Sequence, residues 1–125
     1  MSLDAIGLVT QDIKTIIPFY QALGVDLEMV GGEGHYEART PSGVRIMVDT
    51  VQLMKSIHPN WERHDGGGVA LCFDLKSVDK VDLTYRTLIE LGGVSLKEPW
   101  DAFWGQRYAS LKDPDGHQID LFCSF

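Results

Sequence analysis

The chain repeats itself, and that repeat restricts the possible folds more than any local signal does. An apolar run, Ala5-Ile6-Gly7-Leu8-Val9-Thr10, leads to Asp12, a helical stripe, Leu23-Gly24 and later the turn Thr40-Pro41-Ser42-Gly43. The same order returns in Val69-Ala70-Leu71-Cys72-Phe73, Asp74, a second stripe, Leu91-Gly92 and Asp113-Pro114-Asp115-Gly116. Asp12 matches Asp74 at an offset of 62, the Leu-Gly pairs match at 68, and the Pro-x-Gly turns at 73. The drift places insertions in the loops of the second copy. Each copy reads β-α-β-β-β and is too small to bury a sheet face alone. The expected fold is therefore α+β: two βαβββ modules whose concave faces meet, a curved mixed sheet around a cleft. One domain covers residues 1–125, with module 1 at about 3–50, a connection at about 51–67 and module 2 at about 68–125.

Local patterns support this layout. Ile13, Ile16, Ile17, Tyr20 and Leu23 recur at helical steps, with Thr15 as N-cap so that Pro18 falls in the first turn, and Gly24 as the stop. Asp26–Val30, His35–Thr40 and Val44–Val48 read as strands. Gln52–Gly68 shows no regular period and reads as the connection between halves, with glycines at its end. Ser77 is a plausible N-cap for the stripe Val78, Val81, Tyr85, Leu88 and Ile89, which Gly92-Gly93 ends. Val94–Lys97 reads as a strand, followed by a loop holding Pro99, Trp100 and Trp104. Asp113-Pro114-Asp115-Gly116 then turns a hairpin. Its second strand sends Gln118, Asp120 and Cys123 one way and Ile119, Leu121 and Phe122 the other.

A net charge of −7, scattered rather than blocked, argues against a nucleic-acid surface. No apolar run approaches bilayer length and no signal-peptide pattern opens the chain, so a cytoplasmic protein without membrane contact is expected. Cys72 and Cys123 each sit in a run that reads as a buried strand, which suits inert free thiols in a reducing compartment. His35, His58, His64 and His117 lack ligand spacing and read as surface residues.

Asp12 followed by Phe19-Tyr20 and Leu23-Gly24, then Trp104-Gly105-x-Arg107, then Asp113-Pro114-Asp115-Gly116-x-x-Ile119-Asp120-Leu121, resembles the vicinal-oxygen-chelate superfamily. That group includes glyoxalase I, the bleomycin- and fosfomycin-resistance proteins and the extradiol dioxygenases. The resemblance covers nearly the whole chain and implies a cleft, usually in a homodimer. It also implies metal-ligand positions on the first and last strands of each module. Seven residues before Asp12 lies Ala5, and six before Asp74 lies Gly68. Four residues after the hairpin glycines lie Met47 and Asp120. Of these only Asp120 suits a hard cation, and one carboxylate does not hold a divalent ion. His64 and Asp65, just before the second module, are the only nearby donors that could complete a site. No metal and no other cofactor is expected.

Phe103-Trp104-Gly105-Gln106-Arg107 offers an aromatic face beside a cation, suited to an organic ligand. The alternative is that Trp104 covers the sheet end while Arg107 pairs with a carboxylate. The resulting expectation is a metal-free, homodimeric binder of a small aromatic or cationic molecule, lined by Ala5, Met47, Gly68, Phe103, Trp104, Arg107 and Asp120. Its rivals are a metal-dependent lyase or dioxygenase, a metal-free isomerase using Asp120 as base, and a domain that only dimerises or docks.

Overall fold

The structure, a computed structural model, describes residues 1–64 and 67–125. The chain divides into two compact units, 1–63 and 64–125. The first runs β1 (Ala5–Thr10), α1 (Ile13–Gln21), β2 (Glu28–Met29), β3 (His35–Arg39), β4 (Arg45–Thr50) and α2 (Val51–Ile57). The second runs β5 (Ala70–Asp74), α3 (Val78–Glu90), β6 (Val94–Ala102), β7 (Gln106–Lys112) and β8 (Gln118–Ser124). The sheet orders are β1-β4-β3-β2 and β5-β8-β7-β6. In each, the first strand lies parallel to the last and the other pairs are antiparallel. The fold is α+β, two βαβββ modules.

The repeat extends to individual hydrogen bonds. After α1, Gly24 N–H bonds the Gln21 carbonyl and Val25 N–H bonds that of Tyr20, each at 2.9 Å. After α3, Gly92 N–H bonds Ile89 at 3.2 Å and Gly93 N–H bonds Leu88 at 2.9 Å. Both are Schellman endings, and their glycines take φ of +78° (Gly24) and +101° (Gly92), which a Cβ would disfavour. The hairpin turns match as well: Gly43 N–H bonds Thr40 and Gly116 N–H bonds Asp113, both at 2.9 Å.

Strand register corrects one alignment. Arg45 pairs with Ala5, and its hairpin counterpart Gln118 pairs with Ala70. The first strands therefore correspond at an offset of 65 rather than 62. Asp12 corresponds to Ser77, and Ala5 to Ala70 rather than Gly68.

The helix starts differ from expectation too. Asp12, not Thr15, caps α1: its Oδ1 accepts the Lys14 N–H at 3.0 Å and its Oδ2 the Thr15 hydroxyl at 2.9 Å. Pro18 consequently lies inside the helix, where it cannot donate to the Lys14 carbonyl. Asp74 also accepts an N–H two residues on, from Lys76 at 3.0 Å, but this forms a turn ahead of the helix, with Lys76 at φ +64°. Ser77 occupies the N-cap of α3 without a side-chain cap bond. The first seven residues after β4, expected to be irregular, form α2, capped by Thr50 Oγ1 accepting from Leu53 N–H at 3.2 Å. None of its residues is buried, and at seven residues it is too short for a helical period to stand out in the sequence.

In the second unit α3 lies across β6, β7 and β8 and buries Val81, Tyr85 and Leu88. Beneath it Ala109, Leu111, Ile119 and Leu121 are fully buried. Each large aliphatic here contributes about 1.5–3 kcal/mol by its burial. In the first unit Ile16, Phe19 and Tyr20 of α1 are buried, as are Leu8, Thr10, Ile46 and Val48 of the sheet. Strand β6 is longer than expected and includes Pro99 and Trp100. Its register shifts between Lys97 and Trp100, so the missing N–H of Pro99 breaks no regular ladder there.

The two caps make a discriminating pair. Asp12→Ala lowers stability by about 1 kcal/mol, whereas Ser77→Ala stays within about 0.5 kcal/mol. Urea-denaturation midpoints measure both, and equal losses would contradict the cap assignment.

Candidate functional site

Side chains alternate across a strand, so the register decides which of them share a face. In the second unit Asp120 pairs with Cys72 on β5 and Ser110 on β7, while Phe122 pairs with Tyr108, and Tyr108 with Trp100. All lie opposite the face that α3 covers. Phe122 therefore faces with Asp120, and Cys123 is buried on the α3 side, the reverse of the expected order beyond Leu121. Cys72, expected to be buried, is exposed.

Asp120 is only 8% exposed. Its Oδ2 accepts the Tyr108 hydroxyl at 2.7 Å, and its Oδ1 accepts the Gln118 amide at 3.1 Å. Cys72 Sγ lies 4.0 Å from the same Oδ2. Burial, followed by the hydrogen bond to Asp120, pushes the Tyr108 phenol up. Partial desolvation, followed by the charge of Asp120, pushes the Cys72 thiol up. Both stay protonated at neutral pH, leaving Tyr108 a hydrogen-bond donor and Cys72 a poor nucleophile.

From Tyr108 an aromatic row runs outward. Phe122 stacks on Tyr108 at 6.1 Å, and Trp104 meets Tyr108 edge-on at 5.4 Å. Trp100 and Phe103 meet Trp104 edge-on at 5.5 and 5.0 Å. Lys97 Nζ sits 4.8 Å from the Trp100 ring centre. Trp104 Nε1 donates to Gln106 Oε1 at 2.8 Å, which orients the indole. Phe103 is 91% and Trp104 49% exposed.

Of the residues singled out in the sequence, Trp104 and Asp120 are thus linked through Tyr108, with Phe103 at the outer end. Arg107 is not part of this group. It lies on the α3 face, where Nε and Nη2 grip both oxygens of Asp82 at 2.9 and 3.0 Å and Nη1 reaches Asp101 at 3.1 Å. Of the two roles open to it, pairing with carboxylates is the one it has. Gly68 lies ahead of β5. Ala5 and Met47 belong to the first unit, where Met47 is the register partner of Gly7; a Cβ on Gly7 would come 3.8 Å from Met47 Cε. His64 is exposed, and Asp65 lies outside the described residues.

Sequence reasoning missed a second polar group, on the face of the first sheet that carries Met47. His35 Nδ1 lies 2.5 Å from Asp49 Oδ1, and its Nε2 2.8 Å from Glu37 Oε2. Glu37 Oε1 accepts from Arg45 Nη1 at 2.6 Å, and Arg45 Nη2 donates to Asp4 at 2.7 Å. Hydrogen bonds to Asp49, then to Glu37, hold the His35 imidazole above its ordinary range. The same-face placement of His35, Glu37, Arg45 and Asp49 follows from the β3–β4 register, which the sequence alone does not set. Among the described residues, no group of three or more His, Cys, Asp or Glu side chains is placed to hold a metal ion.

The raised Cys72 thiol gives a direct test. Alkylation of Cys72 by iodoacetamide, followed by mass spectrometry, shows a pH midpoint above that of a free thiol. Asp120→Asn moves the midpoint down and speeds the reaction at neutral pH, because it removes the second of the two causes. An unchanged midpoint would contradict the geometry around Oδ2.

Comparison with known proteins agrees with the topology. A glyoxalase-related enzyme from Fulvimarina pelagi has 18% identity and a TM-score of 0.84, covering 98% of this chain and 88% of that one. A glyoxalase/bleomycin resistance protein/dioxygenase family enzyme from Burkholderia phytofirmans PsJN has 19% identity and a TM-score of 0.80, covering all of both chains. A glyoxalase/bleomycin resistance protein from Albidiferax ferrireducens T118 has 23% identity and a TM-score of 0.74, covering 98% of each. At these identities the likeness is one of fold. No curated protein matches the chain in sequence. The family model for the glyoxalase/bleomycin resistance protein/dioxygenase superfamily matches residues 2–121. With nearly its whole length covered, the chain belongs to that superfamily.

Proposed function

We propose that the protein is a metal-free binder of small aromatic cations, using the face that carries Asp120. The observation supporting this most is the row Phe103, Trp104, Trp100, Tyr108 and Phe122 leading to one hydrogen-bonded carboxylate. Flat rings offer stacking surface and attract cations through their faces, while a shielded carboxylate supplies the opposite charge. The metal used by many members of the superfamily does not fit the donors present. Ala5 and Met47 offer no hard donor atom, Ala70 stands at the counterpart of Ala5, and both Asp120 oxygens already accept side-chain hydrogen bonds. The reading includes a homodimer, and the two free cysteines suit a reducing cytoplasm.

Fluorescence titration tests the proposal. N-methylquinolinium, a planar aromatic cation, quenches tryptophan emission saturably, and uncharged methylnaphthalene binds at least about tenfold more weakly. Asp120→Asn lowers the affinity for the cation by about tenfold, or ~1.4 kcal/mol, with little effect on the neutral probe. Quenching that never saturates, or equal loss for both probes, would overturn the reading. Stoichiometric retention of Ni²⁺, Zn²⁺ or Fe²⁺ after loading and desalting would replace it with the metal enzyme.

A further inference from the structure

We propose that His35 is a pH-operated latch fastening the end of the β3–β4 ladder to the start of α2. Both ring nitrogens lie within hydrogen-bond distance of a carboxylate oxygen, at 2.5 Å from Asp49 and 2.8 Å from Glu37. A neutral imidazole has one N–H and satisfies one of these; its other nitrogen would turn a lone pair toward an anion. Only the imidazolium donates to both, so the geometry requires the charged ring.

The latch sits where strand becomes helix. His35 and Asp49 are register partners at the last antiparallel rung. Their neighbours make the next contacts: Thr50 N–H bonds the Gly34 carbonyl at 2.9 Å, and Thr50 Oγ1 caps α2 through Leu53 N–H. A Cβ on Gly34 would come 2.8 Å from Thr50 Oγ1, so glycine permits this approach.

The surrounding charges set the balance. Asp49 and Arg45 face His35 from β4, Glu37 and Arg39 share its strand, and Glu28 pairs with Glu37 from β2. Glu33 lies in the preceding loop and Lys55 on α2. Asp4 holds Arg45 from beyond β1, and Arg39 is turned to the Gly43 carbonyl. Within the linked chain, Asp4, Glu37 and Asp49 oppose Arg45 and the His35 cation. Loss of the proton to solvent removes the positive charge that His35 shares between Glu37 and Asp49. Because His35 is raised in the folded protein, its contribution is complete below the ordinary histidine range. It is lost as pH rises through the raised folded value, so the latch holds below the ordinary histidine range and releases as pH rises past it.

The test follows one ring and two amides in the full chain. Nitrogen-15 NMR of His35 shows both nitrogens protonated at pH 6, with a titration midpoint above that of a free imidazole. Over the same interval, hydrogen-exchange protection of the Thr50 and Leu53 amides, corrected for intrinsic rates, falls tenfold or more relative to α3 amides. In Asp49→Asn the His35 midpoint moves down and the loss of protection moves with it. In His35→Gln both amides are weakly protected from pH 6 upward, with no such transition. A midpoint at or below that of a free imidazole, or protection of Thr50 and Leu53 that ignores the His35 titration, would overturn the latch.

Discussion

Each module depends on a parallel pairing of its first and last strands, β1 with β4 and β5 with β8. A parallel pair cannot be joined by a short turn, so the chain must leave through a helix and return through a hairpin. The Schellman glycines and the Pro-x-Gly turns are the means by which both modules do so. Once the register is set, the period of two along a strand allots every side chain to a face. Asp120 lies beside Tyr108 and Cys72, and His35 opposite Asp49, because of that register.

The duplicated faces have diverged in chemistry. In the first module the positions around Met47 carry alternating charges, each answered by a neighbour. In the second, the face is largely aromatic and its central charge belongs to one carboxylate. Replacing ion pairs by rings trades directional, solvent-screened contacts for broad apolar surface. The α3 side keeps its own pair, Arg107 with Asp82, which ties the helix to β7.

The fold was largely legible in the sequence, because the repeat, the helix stripes and the turn residues all point the same way. What escaped was whatever a local pattern does not encode. The offset of 62 rested on matching Asp12 with Asp74, and both do accept an N–H two residues on. The second uses that bond to build a turn, which shifts its helix start to Ser77. Helix α2 escaped because seven residues are too few for a helical period to stand out. Phe122 and Cys123 were ambiguous because both are apolar, and only pairing with Tyr108 and Arg107 settles their faces. Trp104 and Asp120 were readable by type and position. The companions His35 has on the adjacent strand were not, since cross-strand neighbours are far apart in the chain.

Strand β6 forms one border of its sheet, nine residues long, with Val94 and Leu96 exposed. A flat border of that length would invite a second chain to add a strand and begin fibril growth. The irregularities between Ser95 and Trp100, the charges of Lys97 and Glu98 and the ring of Pro99 interrupt the row of groups such a chain would need. The same residues that shift the register of β6 therefore leave its border a poor template for a second chain.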